Sequence, residues 1–353
     1  MSTRVPTFVL GGTGYVAGEL IRLIAGHPRL DLVGVMSDSQ PGERLGAAFP
    51  HLAARYPDMA FLSQDGLAAQ VGLHPTSAVF SAAPHGVSAG LIDGLLARAE
   101  SKGARPRIVD ISADFRYATA GAYENVYGHA HGAPARLGQF TCAVPEHLKK
   151  LETPHVGHPG CFATATLLAS VPLLALGLVE PQLFIAGVTG STGSGRKPTE
   201  GTHHPQRHSD LYVYNALGHR HVPEVAACAL AASGVAADFA FVPHSGPFAR
   251  GIHVTVQATL RKPLESAAAI EALEEFYRGQ PFVWVTRDPP RVKNVVASNF
   301  AHLSAAANGR SIAVMCVVDN LTKGAAGGAV QWMNRLLGFD QTTGLTAPAP
   351  GWT

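Results

Sequence analysis

Residues Gly157-His158-Pro159-Gly160-Cys161-Phe162-Ala163-Thr164 set a cysteine directly after a Pro-Gly turn and ahead of a long apolar run. A thiol at a helix N-terminus feels the positive end of the helix dipole and nearby backbone N–H groups, which favour thiolate over thiol. Cys161 is therefore a candidate nucleophile. Cys142, Cys228 and Cys316 lack such a turn and read as small buried apolar residues. No CxxC occurs, so neither a disulfide framework nor a thiolate zinc site is signalled, and a reducing cytoplasm fits best.

A second glycine stretch, Gly11-Gly12-Thr13-Gly14-Tyr15-Val16-Ala17, follows one strand pattern and opens a helical one. Glycines at this spacing let a pyrophosphate approach backbone N–H groups at a helix start, as in a dinucleotide site. The second strand ends Met36-Ser37-Asp38-Ser39. An acid there suits the ribose of NAD, whereas hydroxyls with a basic residue suit the 2′-phosphate of NADP; the signals conflict.

The third constellation is basic. Gly193-Ser194-Gly195-Arg196-Lys197 precedes Thr202-His203-His204-Pro205-Gln206-Arg207-His208, and Gly218-His219-Arg220-His221-Val222-Pro223-Glu224 follows. Clustered imidazoles could bind a metal, but no HExxH or carboxylate triad accompanies them, and Arg196, Lys197, Arg207 and Arg220 would repel a cation. No metal is expected. Basic loops beside a thiol suit an anionic substrate, and one histidine near Cys161 would serve in proton transfer. Spacing alone does not say which histidine that is.

The elements that must position these residues follow from periodicity. Thr7 to Leu10, Leu30 to Met36, Val79 to Ala82 and Arg107 to Ile111 read as buried strands, and Tyr15 to Ala25 as a helix between the first two. This is the pattern of a doubly wound parallel sheet of the Rossmann type, with ligands at strand C-termini, where Gly11, Pro84-His85-Gly86 and Ser112 fall. From about residue 155 the texture changes to an α+β pattern. It contains strands at Leu183 to Thr189, Phe239 to Val242, Ile252 to Leu260 and Ile312 to Val318, and a helix through Leu264 and Phe276. The expected division is a dinucleotide-binding domain over 1–157, completed by a helical segment 322–353, and a catalytic, substrate and oligomerisation domain over 158–321, with the site between them.

Composition narrows the partners. In 353 residues, 27 Lys and Arg nearly balance 25 Asp and Glu, so no nucleic-acid or membrane-surface partner is expected. The uncharged run Phe162 to Val179 is long enough to suggest a membrane span, but it carries Thr164, Thr166, Ser170, Pro172 and Gly177 without flanking basic residues, and reads as a buried helix. The 17 His and 38 Gly are in part accounted for by the motifs above.

At these residues the chain resembles the N-acetyl-gamma-glutamyl-phosphate reductase family of arginine biosynthesis, a semialdehyde dehydrogenase-like group. The resemblance runs through GGTGYVAGEL at Gly11, APHGVS at Ala83, VDISADFR at Val109, AVPE at Ala143, HPGCFATATLL at His158, GSGRK at Gly193, GHRHVPEV at Gly218, VPHSGPFARGI at Val242, KNVV at Lys293 and DNLTKGAAGGAVQ at Asp319. It implies an NADP-dependent acyl-phosphate reductase in which Cys161 expels phosphate and forms a thioester, reduced by hydride to a semialdehyde. Backbone N–H groups at the start of the Cys161 helix are the implied oxyanion donors. His219 is the implied acid/base, with His221 an alternative, and Glu224 orients one of the pair. Gly11, Thr13, Gly14, Tyr15, Val16, Ser37, Ser39, Pro84 and Asn320 would hold the cofactor. Ser112, Arg116, Arg207, His221 and Arg250 would meet the substrate. A homodimer or homotetramer is implied.

Two departures matter. Relatives often carry a basic residue where this chain has Asp38, which leaves NAD open beside NADP. The run THHPQRHSDLYVY from Thr202 resembles the sister group of lysine biosynthesis, whose aminoadipyl or glutamyl phosphate substrate is attached to a small acidic carrier protein. A nucleotide-sensing regulator without catalysis is the reading from another class; it would need no nucleophile at Cys161.

Overall fold

The computed structural model describes residues 4–352. The chain divides into two compact units. The first takes the chain up to Cys142, with Lys150–His158 and Ala326–Thr346; the second takes Ala143–Lys149, Pro159–Ala325 and the residues from Ala347 on.

The first unit is built on a six-stranded sheet of β1 (Val5–Leu10), β2 (Leu30–Val35), β3 (Ala78–Ser81), β4 (Arg107–Asp110), β5 (Phe140–Cys142) and β6 (His155–Gly157). Every pairing is parallel, in the order β2-β1-β3-β4-β6-β5. The strands are runs such as Phe8-Val9 and Val79-Phe80, wholly buried because helices cover both faces of such a sheet. The order reverses between β1 and β3, which is where a doubly wound sheet opens a crevice for ligands. Two three-residue strands, β5 and β6, are too short to read from periodicity. The helix Gly327–Leu336 packs on β4 and on the first helix, Tyr15–Gly26. Its Asn334 bonds His27 (3.1 Å), whose Nδ1 accepts the N–H groups of Arg29 and Leu30.

The second unit carries a mixed seven-stranded sheet of β7 (Val179–Thr189), β8 (Tyr212–Val213), β9 (Asp238–Ser245), β10 (Ile252–Leu260), β11 (Val283–Val285), β12 (Ala301–Asn308) and β13 (Ser311–Val318). The order is β11-β12-β13-β10-β7-β9-β8, with β7–β9 and β11–β12 parallel and the other neighbours antiparallel. The helix Cys161–Ala175 packs against β7, β10 and β13, and nearly every side chain on it is buried. That explains its apolar character on all sides. No helix among the described residues is long and apolar enough to cross a membrane. The strand β12, rich in alanine, escapes a reading based on β-branched residues.

Ala143–Lys149 belongs to the second unit although the flanking segments belong to the first. Two buried contacts account for this: Glu146 receives a 2.5 Å bond from the Lys323 ammonium, both side chains being fully buried, and His147 bonds the Tyr277 hydroxyl (2.9 Å).

Candidate active site

Cys161 is the first residue of its helix, behind a Gly160 N-cap in extended conformation with no side-chain cap. The helix N-terminus therefore keeps backbone N–H groups for an anion or for the thiol's own charge. The Gly160 N–H itself is held by Glu224, whose Oε1 accepts it at 2.6 Å from a fully buried carboxylate. Glu224 stands in the first turn of the helix Val222–Ser233, so this bond fixes the Pro-Gly turn against a second helix.

The opposite wall comes from the C-terminal end of β13. Thr322–Ala326 forms a π-helical turn, and Gly324 within it lies so close that a Cβ there would stand 2.8 Å from the Cβ of Cys161 and 3.0 Å from its Cα. Single π turns recur at functional sites because they displace one backbone group from the α-helical ladder. The seat for Cys161 thus needs glycine at 324, a requirement that DNLTKGAAGG does not announce in sequence. Asp319 caps the same turn by accepting the N–H groups of Leu321 and Thr322, both at 2.8 Å.

His219 is buried among Phe162, Phe241, Tyr214 and His221, with ring centroids 5.9, 5.2, 5.7 and 4.6 Å away. Its Nδ1 accepts the N–H of His221 (3.2 Å), which puts the proton of the neutral ring on Nε2. Burial, aided by the Arg220 charge, pushes its pKa down to about 4. His219 is therefore a neutral hydrogen-bond donor at neutral pH. His221 is also buried and lines a small apolar cavity with Phe162, Ile185, Val225 and Phe241. Tyr214, not singled out in the sequence, has its pKa raised by burial and then by the Cys161 charge, so it shares the nucleophile's surroundings.

The remaining substrate candidates divide. Arg250 sends Nε and Nη2 to the two carboxylate oxygens of Asp319, each at 3.0 Å, and Nη2 also to Thr322. That Nε–Nη2 edge is engaged in bracing the turn under Cys161. In the first unit, Arg116 donates to the carbonyls of His158 (2.9 Å) and Ile111 (2.8 Å). Ser112 is 2 % exposed, donates its hydroxyl proton to Asp110 (2.7 Å) and accepts from the Asp114 N–H, so that proton is already engaged within the fold. Arg207 is buried, with one bond from Nη1 to the Asp210 carbonyl. His203, His204 and His208 are exposed. Among the described residues no group of three or more His, Cys, Asp or Glu side chains could hold a metal ion.

In the first unit the glycine loop leaves β1 at the point where the strand order reverses. Gly11 has φ +73°, and a Cβ on it would lie 2.5 Å from the Ala83 backbone; one on Gly12 would lie 2.4 Å from Val35. These glycines pack the loop onto β2 and β3. Gly14 differs: a Cβ there would meet no atom within 4 Å. The helix it begins has neither a capping side chain nor an acid in its first turn. An uncapped helix start beside open space is what a dinucleotide pyrophosphate requires, so these residues fit the group. Thr13 and Val16 are half-buried and Tyr15 is exposed. Ser37 is buried, its hydroxyl accepting the Gln40 N–H (3.2 Å), whereas Asp38, Ser39 and Pro84 are exposed. Asn320 is buried in the second unit, accepting the Gly251 N–H (2.7 Å) and donating to Thr192 (3.0 Å).

Comparison with known proteins covers nearly the whole chain. Residues 7–150 match the family described as semialdehyde dehydrogenase, NAD binding domain, and residues 161–320 the semialdehyde dehydrogenase, dimerisation domain. The chain is 36 % identical over 349 residues to N-acetyl-gamma-glutamyl-phosphate reductase of Ectopseudomonas mendocina, spanning 97 % of this chain and 98 % of the relative. It is 35 % identical over 347 residues to the protein of that name from Methanopyrus kandleri, spanning 96 % and 97 %. Among solved structures, aspartate semialdehyde dehydrogenase II of Vibrio cholerae superposes with a TM-score of 0.70 at 14 % identity, covering 95 % of this chain and 99 % of that one. A probable aspartate-semialdehyde dehydrogenase of Pseudomonas aeruginosa gives 0.66 at 17 % identity, with the same coverage. These two likenesses establish the fold: a parallel Rossmann-type sheet with a mixed-sheet second domain.

Proposed function

We propose, from the premise that this chain belongs to the N-acetyl-gamma-glutamyl-phosphate reductase family of semialdehyde dehydrogenases, that it reduces N-acetyl-L-glutamyl 5-phosphate to the 5-semialdehyde and releases phosphate. The observation that carries the reading is the seat of Cys161 at an uncapped helix start, held by Glu224 on one side and Gly324 on the other.

The steps follow from the thiol. The Cys161 thiolate attacks the acyl carbon, the C–O bond to phosphate breaks, and a thioester remains on Sγ. Backbone N–H groups of the first helical turn stabilise the oxyanion formed during attack. The Gly11–Val16 loop, with Ser37, Ser39 and Pro84 as further contacts, would hold a nicotinamide dinucleotide, which would supply the hydride that reduces the thioester. Collapse of the resulting thiohemiacetal breaks the C–S bond, releases the aldehyde and restores the thiolate. His219, neutral with its proton on Nε2, donates a hydrogen bond to the oxyanion of the tetrahedral adduct and holds it until the C–S bond breaks. Glu224 acts as a positioning residue through the turn that carries Cys161. Arg116 steadies the same turn through the His158 carbonyl, and His221 shapes the wall beside His219.

NADP is the proposed cofactor, with Ser37 and Ser39 at the end of β2, and a homodimer or homotetramer the proposed assembly, in line with the matched dimerisation domain. The test is phosphate-dependent reduction of NADP+ by N-acetyl-L-glutamate 5-semialdehyde, run beside NAD+ and a carrier-linked semialdehyde. The reading expects the N-acetylated substrate and NADP+ to give the higher kcat/KM, and Cys161→Ser to abolish turnover. Preference for the carrier-linked substrate, or wild-type turnover by Cys161→Ser, would overturn it.

A further inference from the structure

The mechanism makes no use of the buried cation Arg207. Arg207 closes the short helix His204–Arg207 and is only 7 % exposed. Its Nη1 donates to the Asp210 carbonyl (3.1 Å), while Nε and Nη2, both shielded from solvent, have no hydrogen-bond partner. Nor does any described residue supply a counter-charge or an aromatic face to it. A desolvated guanidinium with unsatisfied donors is costly, and such groups persist where a ligand completes them. Nε and Nη2 carry the two parallel N–H bonds of the guanidinium's side edge, the fork that takes both oxygens of a carboxylate.

Shortly after Arg207, Tyr212 of β8 lies opposite Ser245 of β9, and Ser245 opposite Thr189 of β7. Thr189 faces Ile252 of β10, and Ile252 faces Val318, the last residue of β13; residues 319–321 then lead to the turn whose Gly324 packs on Cys161. Tyr214, two residues after Tyr212, is seated against the His219 ring (5.7 Å). In the proposed substrate the phosphorus is two bonds from the carbon under attack, whereas the α-carboxylate is at the far end of the side chain.

We propose that Arg207 reads the substrate's non-reacting carboxylate, gripping it bidentately through Nε and Nη2 and selecting acyl phosphates that carry this acid over those in which it is masked. The identity of the substrate rests on the reductase reading; the anion site rests on the Arg207 edge itself.

The experiment compares N-acetyl-L-glutamate 5-semialdehyde with its 1-methyl ester in the wild type, Arg207→Met and Arg207→Lys. Wild-type kcat/KM should favour the free acid by about a hundredfold or more, because the ester leaves buried donors unpaired. The ratio should fall to near one in Arg207→Met and drop about tenfold or more in Arg207→Lys, which keeps the charge without the fork. The change should lie in KM for the semialdehyde and leave KM for phosphate unaltered. If Arg207→Met melts abnormally, Arg207→Lys carries the test. An unchanged acid-to-ester ratio in a folded variant overturns the proposal, as does a rise in the phosphate KM in place of the semialdehyde KM. Calorimetry with N-acetyl-L-glutamate separates this inference from the reductase reading. Wild-type binding that Arg207→Met abolishes supports the carboxylate site even if no semialdehyde is turned over. Binding that is absent, or indifferent to Arg207, removes the site even if the reductase activity is present.

Discussion

Replacing Gly324 by alanine tests whether the π turn really seats the nucleophile. The added methyl would stand 2.8 Å from the Cys161 Cβ and 3.0 Å from its Cα. Ordinary carbon–carbon contact begins near ~3.5 Å, so turn and helix start must separate by roughly half an ångström or more. The obstruction is the root of the Cys161 side chain, so no flexible side-chain end can swing aside. Overpacking of this kind costs about 1–3 kcal/mol, a fall of several degrees in Tm. Displacement of a reacting atom by up to ~1 Å costs about a hundredfold in rate. The expected outcome for Gly324→Ala is a folded protein with kcat reduced about a hundredfold, KM values little changed, and altered alkylation of Cys161 by iodoacetamide. Steady-state kinetics of the phosphate-dependent reaction, a thermal melt and the alkylation rate read the three effects. Wild-type kcat together with wild-type alkylation would refute the steric account of the seat.

Gly14→Ala is the complementary change, since its Cβ meets nothing within 4 Å and its φ of −83° suits any residue; Tm should hold while Kd for NADPH, measured by fluorescence titration, rises about tenfold or more as the methyl takes up pyrophosphate space. Lys323→Met leaves the Glu146 carboxylate buried without its 2.5 Å partner, and should cost about 3–5 kcal/mol in a denaturant melt, more than Glu146→Gln/Lys323→Met together. Stability should also fall with acid. Burial pushes His147, His155 and His219 down to about 4, so between the ordinary histidine value of 6.5 and pH 4 the unfolded chain binds the protons that the folded one refuses. Asp110, pushed up to about 6 by burial, opposes this with one proton, leaving a net loss of about 2 kcal/mol per pH unit below pH 6, readable as Tm against pH. A flat Tm over that window would contradict the buried neutral histidines.

The doubly wound sheet was legible because its strands are buried on both faces and stand out as short apolar runs, and the nucleotide loop because it sits between such a run and a helix. The helix start at Cys161 was legible from the Pro-Gly turn alone. What escaped depends on contacts remote in sequence. Nothing near Gly160 announces that Glu224 will hold its N–H, or that Gly324 will press on Cys161, since those partners lie 64 residues away in the first case and beyond β13 in the second. Arginines were the least legible. Arg250 and Arg207 look alike as basic residues in glycine- or histidine-rich loops, yet one is locked to Asp319 and the other keeps two buried donors without a partner. The difference lies in which carboxylate the fold delivers, and periodicity carries no record of that.

The thioester at Cys161 is the central claim, and a single-turnover experiment tests it most directly. Enzyme mixed with N-acetyl-L-glutamate 5-semialdehyde and NADP+ in the absence of phosphate should produce one burst of NADPH equal to the concentration of Cys161 and then stall, the acyl group remaining on the Cys161 peptide until phosphate discharges it. Continuous NADPH formation without phosphate, or a burst that leaves the Cys161 peptide unmodified, would contradict the account.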